Sequence, residues 1–233
     1  MDLTVNVSEL REQVASCCRF LSIAGVMDDF GHLSARLPDG KLLVSPLGVT
    51  ASAVRPADIL IVDLDGRRLE GEGVVPGEVV IHTRIYRART DLQSILHYHP
   101  HYVNLCGIAG LKYEPVYLYG VVFRDGVGLY DDPELIRRPE QGDAVAGAMG
   151  RFAAVILRGH GAVVAGENVQ ETLCYALFLE ENAKMLYQAS LAGKARAFTQ
   201  DEIDRCYQSF WATRLAVRRV WLGLESRAKR AEG

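Results

Sequence analysis

Two histidines at the end of a predicted strand constrain the fold of this chain most strongly. An apolar run that stops at Pro100 predicts a strand over residues 93–99. Side chains two apart on a strand point to the same face, so His97 and His99 would present two imidazoles side by side. Neutral imidazole is the commonest protein ligand for zinc and similar divalent ions. The pair therefore forms half of a candidate metal site.

A third histidine follows another predicted strand. Residues 153–157 are uniformly apolar, as in a buried strand, and they run into the sequence Arg-Gly-His-Gly, which places His160 on a glycine-flanked turn. A third imidazole with a carboxylate nearby would complete a catalytic site of three protein ligands and one open position.

A predicted helix supplies a candidate carboxylate. Pro76 is typical of a first helical turn, and we expect a helix from there to about Arg89. Glu78 and His82 are four residues apart and would share one face of this helix. The residues alone leave two interpretations open, an ordinary surface pair or a carboxylate near the helix N-terminus that faces a metal ion.

Length and charge exclude several classes of function. The chain of 233 residues is long enough for one α/β domain with a full core, and no repeat or linker divides residues 1–233. Its net charge of −3 gives no basic field for nucleic acid, and no apolar run approaches the roughly 20 residues of a membrane span. Five cysteines without a C-x-x-C spacing indicate reduced thiols. We expect a cytoplasmic protein that acts on a small molecule.

Helices and short strands alternate along the rest of the chain. Ser8 is the expected N-cap of a first helix that ends near Gly25. The other expected elements are strands at 32–37, 41–45, 57–64 and 115–123, a surface loop at 124–140, and helices at 101–111, from Asn168 to near Gly193, and from Thr199 onwards. The strand at 115–123 would carry Tyr117 and Tyr119 on one face.

Five short motifs, taken in order, resemble one known family. They are Gly-His-Leu-Ser-Ala-Arg at 31–36, Val-Ser-Pro-Leu-Gly at 44–48, Gly77-Glu78 followed by His82, the pair His97-x-His99, and Arg158-Gly-His160-Gly. From about residue 8 to residue 220 the chain resembles the class II aldolase/adducin family, which includes fuculose-phosphate aldolase, ribulose-phosphate epimerase and metal-dependent decarboxylases. The resemblance implies a three-layer α/β/α fold with a central, mainly antiparallel sheet. It also implies a homotetramer with sites at subunit boundaries.

The resemblance further implies the roles of particular residues. His97, His99 and His160 would ligate a divalent metal, with Glu78 as a further ligand that swings away to move a proton. Tyr119 is the nearest equivalent, by spacing, of a tyrosine that donates a proton in the aldolases; a half-buried aromatic of the sheet is the alternative interpretation. Zinc suits three imidazoles, and manganese, iron, cobalt or magnesium are the alternatives.

The chemistry of such a site is that of a Lewis acid. The metal stabilises the enolate that forms when a carbon–carbon bond breaks or a proton leaves carbon. Retro-aldol cleavage, epimerisation and decarboxylation of a β-oxo or hydroxy-aromatic acid all need this stabilisation. The metal site therefore predicts a carbon–carbon lyase but does not choose among these reactions.

Two departures from the sugar-phosphate members of the family favour a different substrate. Those members hold the phosphate with an Asn after the first Gly of the 31–36 motif and with a Ser-Ser pair before the Glu, where this chain has His32 and Pro76-Gly77. A phosphate dianion needs several convergent donors, so the loss of these donors disfavours it and favours a carboxylate. The candidate residues for binding that carboxylate are His32, Arg36, Ser45, Gly48 and Arg158.

The leading hypothesis is a metal-dependent decarboxylase of a non-phosphorylated hydroxy-aromatic or oxo carboxylic acid in aromatic-compound catabolism. Glu78 or His32 would deliver the proton that replaces carbon dioxide. The first alternative is an aldolase or epimerase that acts on a hydroxy-oxo acid or a sugar phosphate. The second is a non-catalytic scaffold, as in adducin, against which the complete set of metal-ligating residues argues.

Overall fold

The computed structural model describes residues 6–231 of the chain. The strands are β1 (His32–Arg36), β2 (Leu42–Val44), β3 (Leu60–Val62), β4 (Arg68–Glu70), β5 (Ser94–Tyr98), β6 (Gly128–Tyr130), β7 (Ala154–Leu157) and β8 (Gly161–Gly166). The helices are α1 (Val7–Ile23), α2 (Val79–Ala88), α3 (His101–Ile108), α4 (Pro139–Met149), α5 (Val169–Ala192), α6 (Gln200–Phe210) and α7 (Leu215–Ala231). None of the described helices is long and apolar enough to cross a membrane.

All eight strands join one sheet in the order β4-β3-β2-β1-β5-β8-β7-β6. Every neighbouring pair is antiparallel except β6 and β7, which run parallel. The predicted mainly antiparallel sheet is confirmed. Strand β5 lies between β1 and β8, so the elements that carry His32, His97 and the turn before Gly161 are immediate neighbours.

Helices cover both faces of the sheet, because both faces are apolar. Leu96 faces one core, which also contains buried residues of α1 and α5, whereas Ile95 faces a second core with residues of α2 and α4. Alternation along one strand thus feeds two cores. The predicted three-layer α/β/α architecture is confirmed.

The helix caps agree with the sequence at two of three positions. Asn168 and Thr199 accept hydrogen bonds from the backbone N–H groups of residues 171 and 202, as their capping patterns predicted. The first helix begins two residues earlier than Ser8 would place it. Asn6 is its N-cap, and the Asn6 Oδ1 accepts from the N–H of Ser8 at 3.1 Å. An amide oxygen serves this role as well as a hydroxyl does.

The prediction of a strand at 115–123 is wrong. Residues 118–123 form a 3₁₀ segment, because a buried asparagine of α5 satisfies the preceding backbone. The Asn182 Oδ1 accepts from the N–H groups of Val116 and Tyr117, and its Nδ2 donates to the Glu114 carbonyl. A Cβ on Gly120 would lie 2.3 Å from that same Oδ1, so only glycine permits this packing.

Three further boundaries differ from the sequence analysis. The supposed loop at 124–140 contains β6 and the first residues of α4. The strand expected at 57–64 begins with a 3₁₀ turn, Pro56–Asp58, and only Leu60–Val62 pairs as a strand. The last predicted helix is two helices, which separate at Arg214, where φ is +58°.

Candidate metal centre and its pocket

Three imidazoles converge where β5 ends beside the β7–β8 turn. Ring nitrogens of His97, His99 and His160 lie within 4.8 Å of one another. The turn that carries His160 must approach β5 closely, since a Cβ on Gly161 would lie 2.4 Å from the Tyr98 carbonyl oxygen. Glycine at this position therefore allows the third imidazole to reach the other two.

Hydrogen bonds on the far side of two rings orient the cluster. His97 Nδ1 lies 3.1 Å from the Ala162 carbonyl oxygen, and His99 Nδ1 lies 3.0 Å from the Asp28 carboxylate. An acceptor at Nδ1 holds the proton there and leaves Nε2 with a free lone pair, as in metal-ligating histidines. Asp28 has a second task, because its Oδ1 also accepts from the N–H groups of Phe30 and Gly31.

The buried nitrogens of this cluster fit a cation. His97 Nε2 and both ring nitrogens of His160 have no hydrogen-bond partner among the described residues, although all three atoms are inaccessible. Buried polar atoms without partners are rare and call for a missing ligand. These nitrogens belong to two imidazoles, each of which can give one nitrogen to zinc or a related divalent ion.

Glu78 adds a carboxylate to the cluster. Its Oε2 lies 3.7 Å from His97 Nε2 and 3.6 Å from His160 Nε2, and its Oε1 accepts from the Ile136 N–H at 2.8 Å. Burial alone would raise the pKa of Glu78, but the two imidazoles and the Ile136 N–H outweigh it and hold the pKa below its ordinary value. Glu78 is the N-cap of α2, so this helix begins at Val79. The sequence had predicted a start at Pro76.

His32 lies beside the cluster on the neighbouring strand. It pairs with His97 across β1 and β5, and the two ring centroids are 5.1 Å apart. His32 Nδ1 lies 2.7 Å from His82 Nε2 of α2. Burial lowers the pKa of both histidines, that of His82 to about 3, so this pair is uncharged at neutral pH.

A cavity of about 520 Å³ opens onto these groups. The residues that line it are Phe30, His32, Leu47, Pro76, Gly77, Glu78, His99, Pro133, Leu135, Arg137, Gly159 and His160. Phe30, Leu47 and Leu135 are large apolar side chains with exposed fractions of 70%, 47% and 47%. Arg137 is the one arginine in this lining, and its guanidinium makes no ion pair or hydrogen bond with the residues that the structure describes. The cavity thus combines apolar walls with an unpaired cation.

The sequence also matches the model of a known family. Residues 12–187 match the Class II Aldolase and Adducin N-terminal domain. The chain belongs to the class II aldolase and adducin family.

Relatives within this family carry out two kinds of reaction. A 3,4-dihydroxyphthalate decarboxylase from Arthrobacter keyseri is 32% identical over 199 residues, which cover 79% of this chain and 80% of that enzyme. A 5-deoxy-D-ribulose 1-phosphate aldolase from Bacillus thuringiensis serovar kurstaki is 29% identical over 173 residues, 73% of this chain and 80% of the aldolase. The L-fuculose 1-phosphate aldolase of Glaciozyma antarctica PI12 superposes with a TM-score of 0.85 at 20% identity, over 97% of this chain and 94% of that one. The last similarity shows a shared class II aldolase fold.

Two arginines that the sequence analysis assigned to substrate binding lie outside the cavity lining. The Arg36 guanidinium donates to the carbonyl oxygens of Tyr86 and Arg89 at the end of α2. The Arg158 guanidinium pairs with Asp131. Both cations are occupied by internal partners, which argues against a role for either in substrate binding.

Three more candidates from the sequence lie away from the cluster. The Ser45 hydroxyl is buried and accepts from the Leu33 N–H at 3.0 Å, so it fixes β1 against β2. Gly48 is exposed at φ +88° and is absent from the cavity lining. Tyr119 stacks between Phe178 and Phe210 in a separate groove at α6 and α7. Within one chain the structure does not bring Tyr119 to the imidazoles.

The sequence analysis missed two residues of the site and gave a third, His82, no role of its own. Asp28 and Arg137 come from segments between regular elements and have no spacing that relates them to the histidines. His82 did carry a signal, since it lies four residues after Glu78. The sequence could not show that it lies behind His32 and not in the cavity.

Proposed function

We propose that this protein is a divalent-metal-dependent carbon–carbon lyase that decarboxylates a non-phosphorylated hydroxy-aromatic or oxo carboxylic acid. The observation that carries the proposal is the cavity itself, whose lining brings the imidazoles of His99 and His160 and the Glu78 carboxylate together with apolar walls and an unpaired arginine. The similarity to a 3,4-dihydroxyphthalate decarboxylase supports the same reaction.

His97, His99 and His160 would hold the metal, with Glu78 beside them. Zinc is the first choice for three neutral imidazoles, and manganese, iron, cobalt or magnesium are alternatives. A bound divalent ion supplies Lewis acidity, which withdraws electron density from a substrate oxygen and so eases the loss of carbon dioxide from the adjoining carbon.

The walls of the cavity would select and orient the substrate. Phe30, Leu47 and Leu135 offer apolar surface to a planar ring or diene and keep water from it. The Arg137 guanidinium is free to pair with a carboxylate that stays on the product. Gly77 lies beside this cation, since a Cβ on it would make an ordinary contact with Arg137 Nε at 3.8 Å.

Glu78 is the best placed group for proton transfer. Its carboxylate is ionised, mostly buried and adjacent to two metal-ligating candidates. We assign it the proton of a substrate hydroxyl, which it takes up on binding and returns to the carbon that loses carbon dioxide. Tyr119 would reach a cavity only from a neighbouring subunit, and its role as a proton donor stays a prediction.

Aldol cleavage is the second candidate, favoured by the similarity to 5-deoxy-D-ribulose 1-phosphate aldolase. The cavity lining argues against a phosphate, because Pro76, Gly77 and an imidazole stand where hydroxyl and amide donors would be needed.

The test is a substrate screen with the two outcomes measured separately. Protein purified without chelator and supplied with zinc or manganese is offered dihydroxybenzoic and phthalic acids, oxo acids, and sugar phosphates. We expect carbon dioxide release from at least one acid and no aldehyde release from the sugar phosphates, with His97→Ala as the blank. Cleavage of a sugar phosphate with no acid turned over would contradict the proposal.

A further inference from the structure

A chain of buried hydrogen bonds leads from His32 away from the cavity. His32 Nδ1 lies 2.7 Å from His82 Nε2, and His82 Nδ1 lies 2.7 Å from Ser34 Oγ. Ser34 Oγ lies 3.0 Å from the Tyr86 hydroxyl. His82, Ser34 and Tyr86 are fully buried and His32 nearly so, so no solvent competes for these bonds.

A neutral imidazole has one N–H and one lone pair, so the chain can run in only two directions. In the first, the Tyr86 hydroxyl donates to Ser34, Ser34 donates to His82 Nδ1, and His82 Nε2–H donates to His32 Nδ1. Every bond in this direction is one of the three short contacts.

The reverse direction leaves the last donor poorly placed. Two outlets exist for the last proton in this direction, and each is 3.4 Å long. Either Ser34 donates to Tyr86, whose hydroxyl then donates to the Gln93 carbonyl oxygen, or Ser34 accepts from both neighbours and donates to the Ile95 carbonyl oxygen. The Gln93 oxygen already accepts the Arg36 N–H at 2.9 Å. Bonds near 3.4 Å are weak, so the first direction satisfies the buried groups better.

We propose that His82, Ser34 and Tyr86 are positioning residues that hold the proton of His32 on Nε2, so that His32 donates a hydrogen bond to a substrate oxygen and does not ligate the metal. This inference rests on the proposed function for the identity of the acceptor, a carboxylate or hydroxyl oxygen of the acid. The direction of the chain itself needs no substrate.

This tautomer of His32 distinguishes two overlapping sets of possible metal ligands. His32, Glu78 and His97 also offer atoms within 4.8 Å of one another, and could by distance alone hold a cation. With Nδ1 accepting from His82 and Nε2 protonated, His32 has no lone pair for a metal. The ion then belongs with His97, His99 and His160, and His32 supplies a neutral donor beside it.

The direct test is the tautomer of His32, read from the ¹⁵N resonances of histidine-labelled full-length protein, with and without added zinc. The chain has six histidines, and the His32 signals are those that vanish in His32→Asn. We expect wild-type His32 to carry its proton on Nε2 in both samples. In Ser34→Ala, which frees His82 to adopt either tautomer, we expect a mixture of the two forms.

Ser94→Ala is the matched control, because Ser94 is an equally buried serine whose hydroxyl donates to the Ser34 carbonyl and is outside the chain. It should keep the wild-type tautomer. A wild-type proton on Nδ1, or a Ser34→Ala protein with the proton wholly on Nε2, would overturn the proposal.

A kinetic readout tests the donor role apart from the tautomer. His32→Asn, whose amide can still donate, should lose about tenfold in kcat/KM toward the acid identified by the screen. His32→Leu, which cannot donate, should lose roughly a hundredfold or more. Equal losses in the two variants would refute the donor role. If no acid is decarboxylated, the proposed function fails while the resonances still decide the direction of the chain.

Discussion

At the scale of single residues, the side chains that differ most in role are often neighbours in sequence. His97 and His99 have partners behind their rings and free Nε2 atoms, whereas His101, two residues on, is exposed at the start of α3. Arg137 lines the cavity without a partner, whereas Arg138 pairs with Glu134. These pairs provide matched substitutions.

Replacement of His97 should remove the metal. We expect wild-type protein purified with zinc to hold about one ion per chain and His97→Ala to hold a small fraction of that, since a buried ligand is lost. Metal analysis by plasma mass spectrometry measures this directly. His101→Ala should keep its zinc; equal zinc in the His97 and His101 variants would argue against the assigned ligands.

Replacement of Arg137 should weaken binding more than chemistry. We expect Arg137→Met to raise KM for a dicarboxylic acid by roughly ten- to a hundredfold with a smaller change in kcat, because a charge-assisted contact is lost from bound substrate and transition state alike. Steady-state kinetics show the split. Arg138→Met, which removes only a surface pair, should change neither constant, and an unchanged KM in Arg137→Met would exclude a role in carboxylate binding.

At the scale of elements, local sequence patterns predicted the helices and strands whose conformation is set by residues close to them in the chain. The alternation around Ile95 and Leu96 and the caps at Asn168 and Thr199 are written in adjacent residues, and these predictions are confirmed. The 3₁₀ segment after Tyr117 depends on an asparagine more than 60 residues later, which no local pattern can reveal.

The candidate site follows the same division. His97 and His99 are two residues apart, and His160 stands between two glycines. Their convergence could therefore be inferred from spacing and family resemblance. Asp28 and Arg137 reach the site only through tertiary packing. Arg36 and Arg158 were assigned by charge alone, and charge cannot indicate that an internal carbonyl or Asp131 already binds them.

The close contact between β5 and β8 predicts a sharp effect of one methyl group. Gly161→Ala would place a Cβ within 2.4 Å of the Tyr98 carbonyl oxygen, so the strands must separate. We expect the free energy of unfolding to fall by about 1–3 kcal/mol and zinc affinity to fall with it. Gly147→Ala in α4, where a Cβ meets nothing within 4 Å, should be neutral or stabilising. Urea denaturation compares the two, and similar stabilities would contradict the packing.

At the scale of the whole molecule, two apolar cores enclose a sheet whose two central strands, β1 and β5, carry buried polar side chains. His32 and His82 are uncharged in the native state, whereas both would protonate in an unfolded chain near pH 6.5. Whether several such chains assemble, as the family resemblance implies, stays a prediction. The effect of acid on these two buried histidines can be derived from one chain alone.

Acid should destabilise the metal-free protein before the carboxylates titrate. Because burial lowers the pKa of His82 to about 3 from 6.5, the unfolded state binds more protons than the native state between these values. The contribution is fully present above pH 6.5 and falls by about 1.4 kcal/mol per pH unit below it. Urea denaturation at several pH values from 7 to 4 measures this slope. His82→Gln should show a shallower slope; a steeper or unchanged one would contradict the assignment.

The carboxylate of Asp28 has a consequence for how such a protein can change over time. One oxygen pair both steadies the His99 ring and shapes the bend that carries Phe30 to the mouth of the cavity. Metal binding and substrate preference would thus both depend on the Asp28 carboxylate. A substitution of Asp28 that admits a bulkier compound would also lower the affinity for the metal ion. New substrate specificities should therefore arise first by substitution of Leu47 or Leu135.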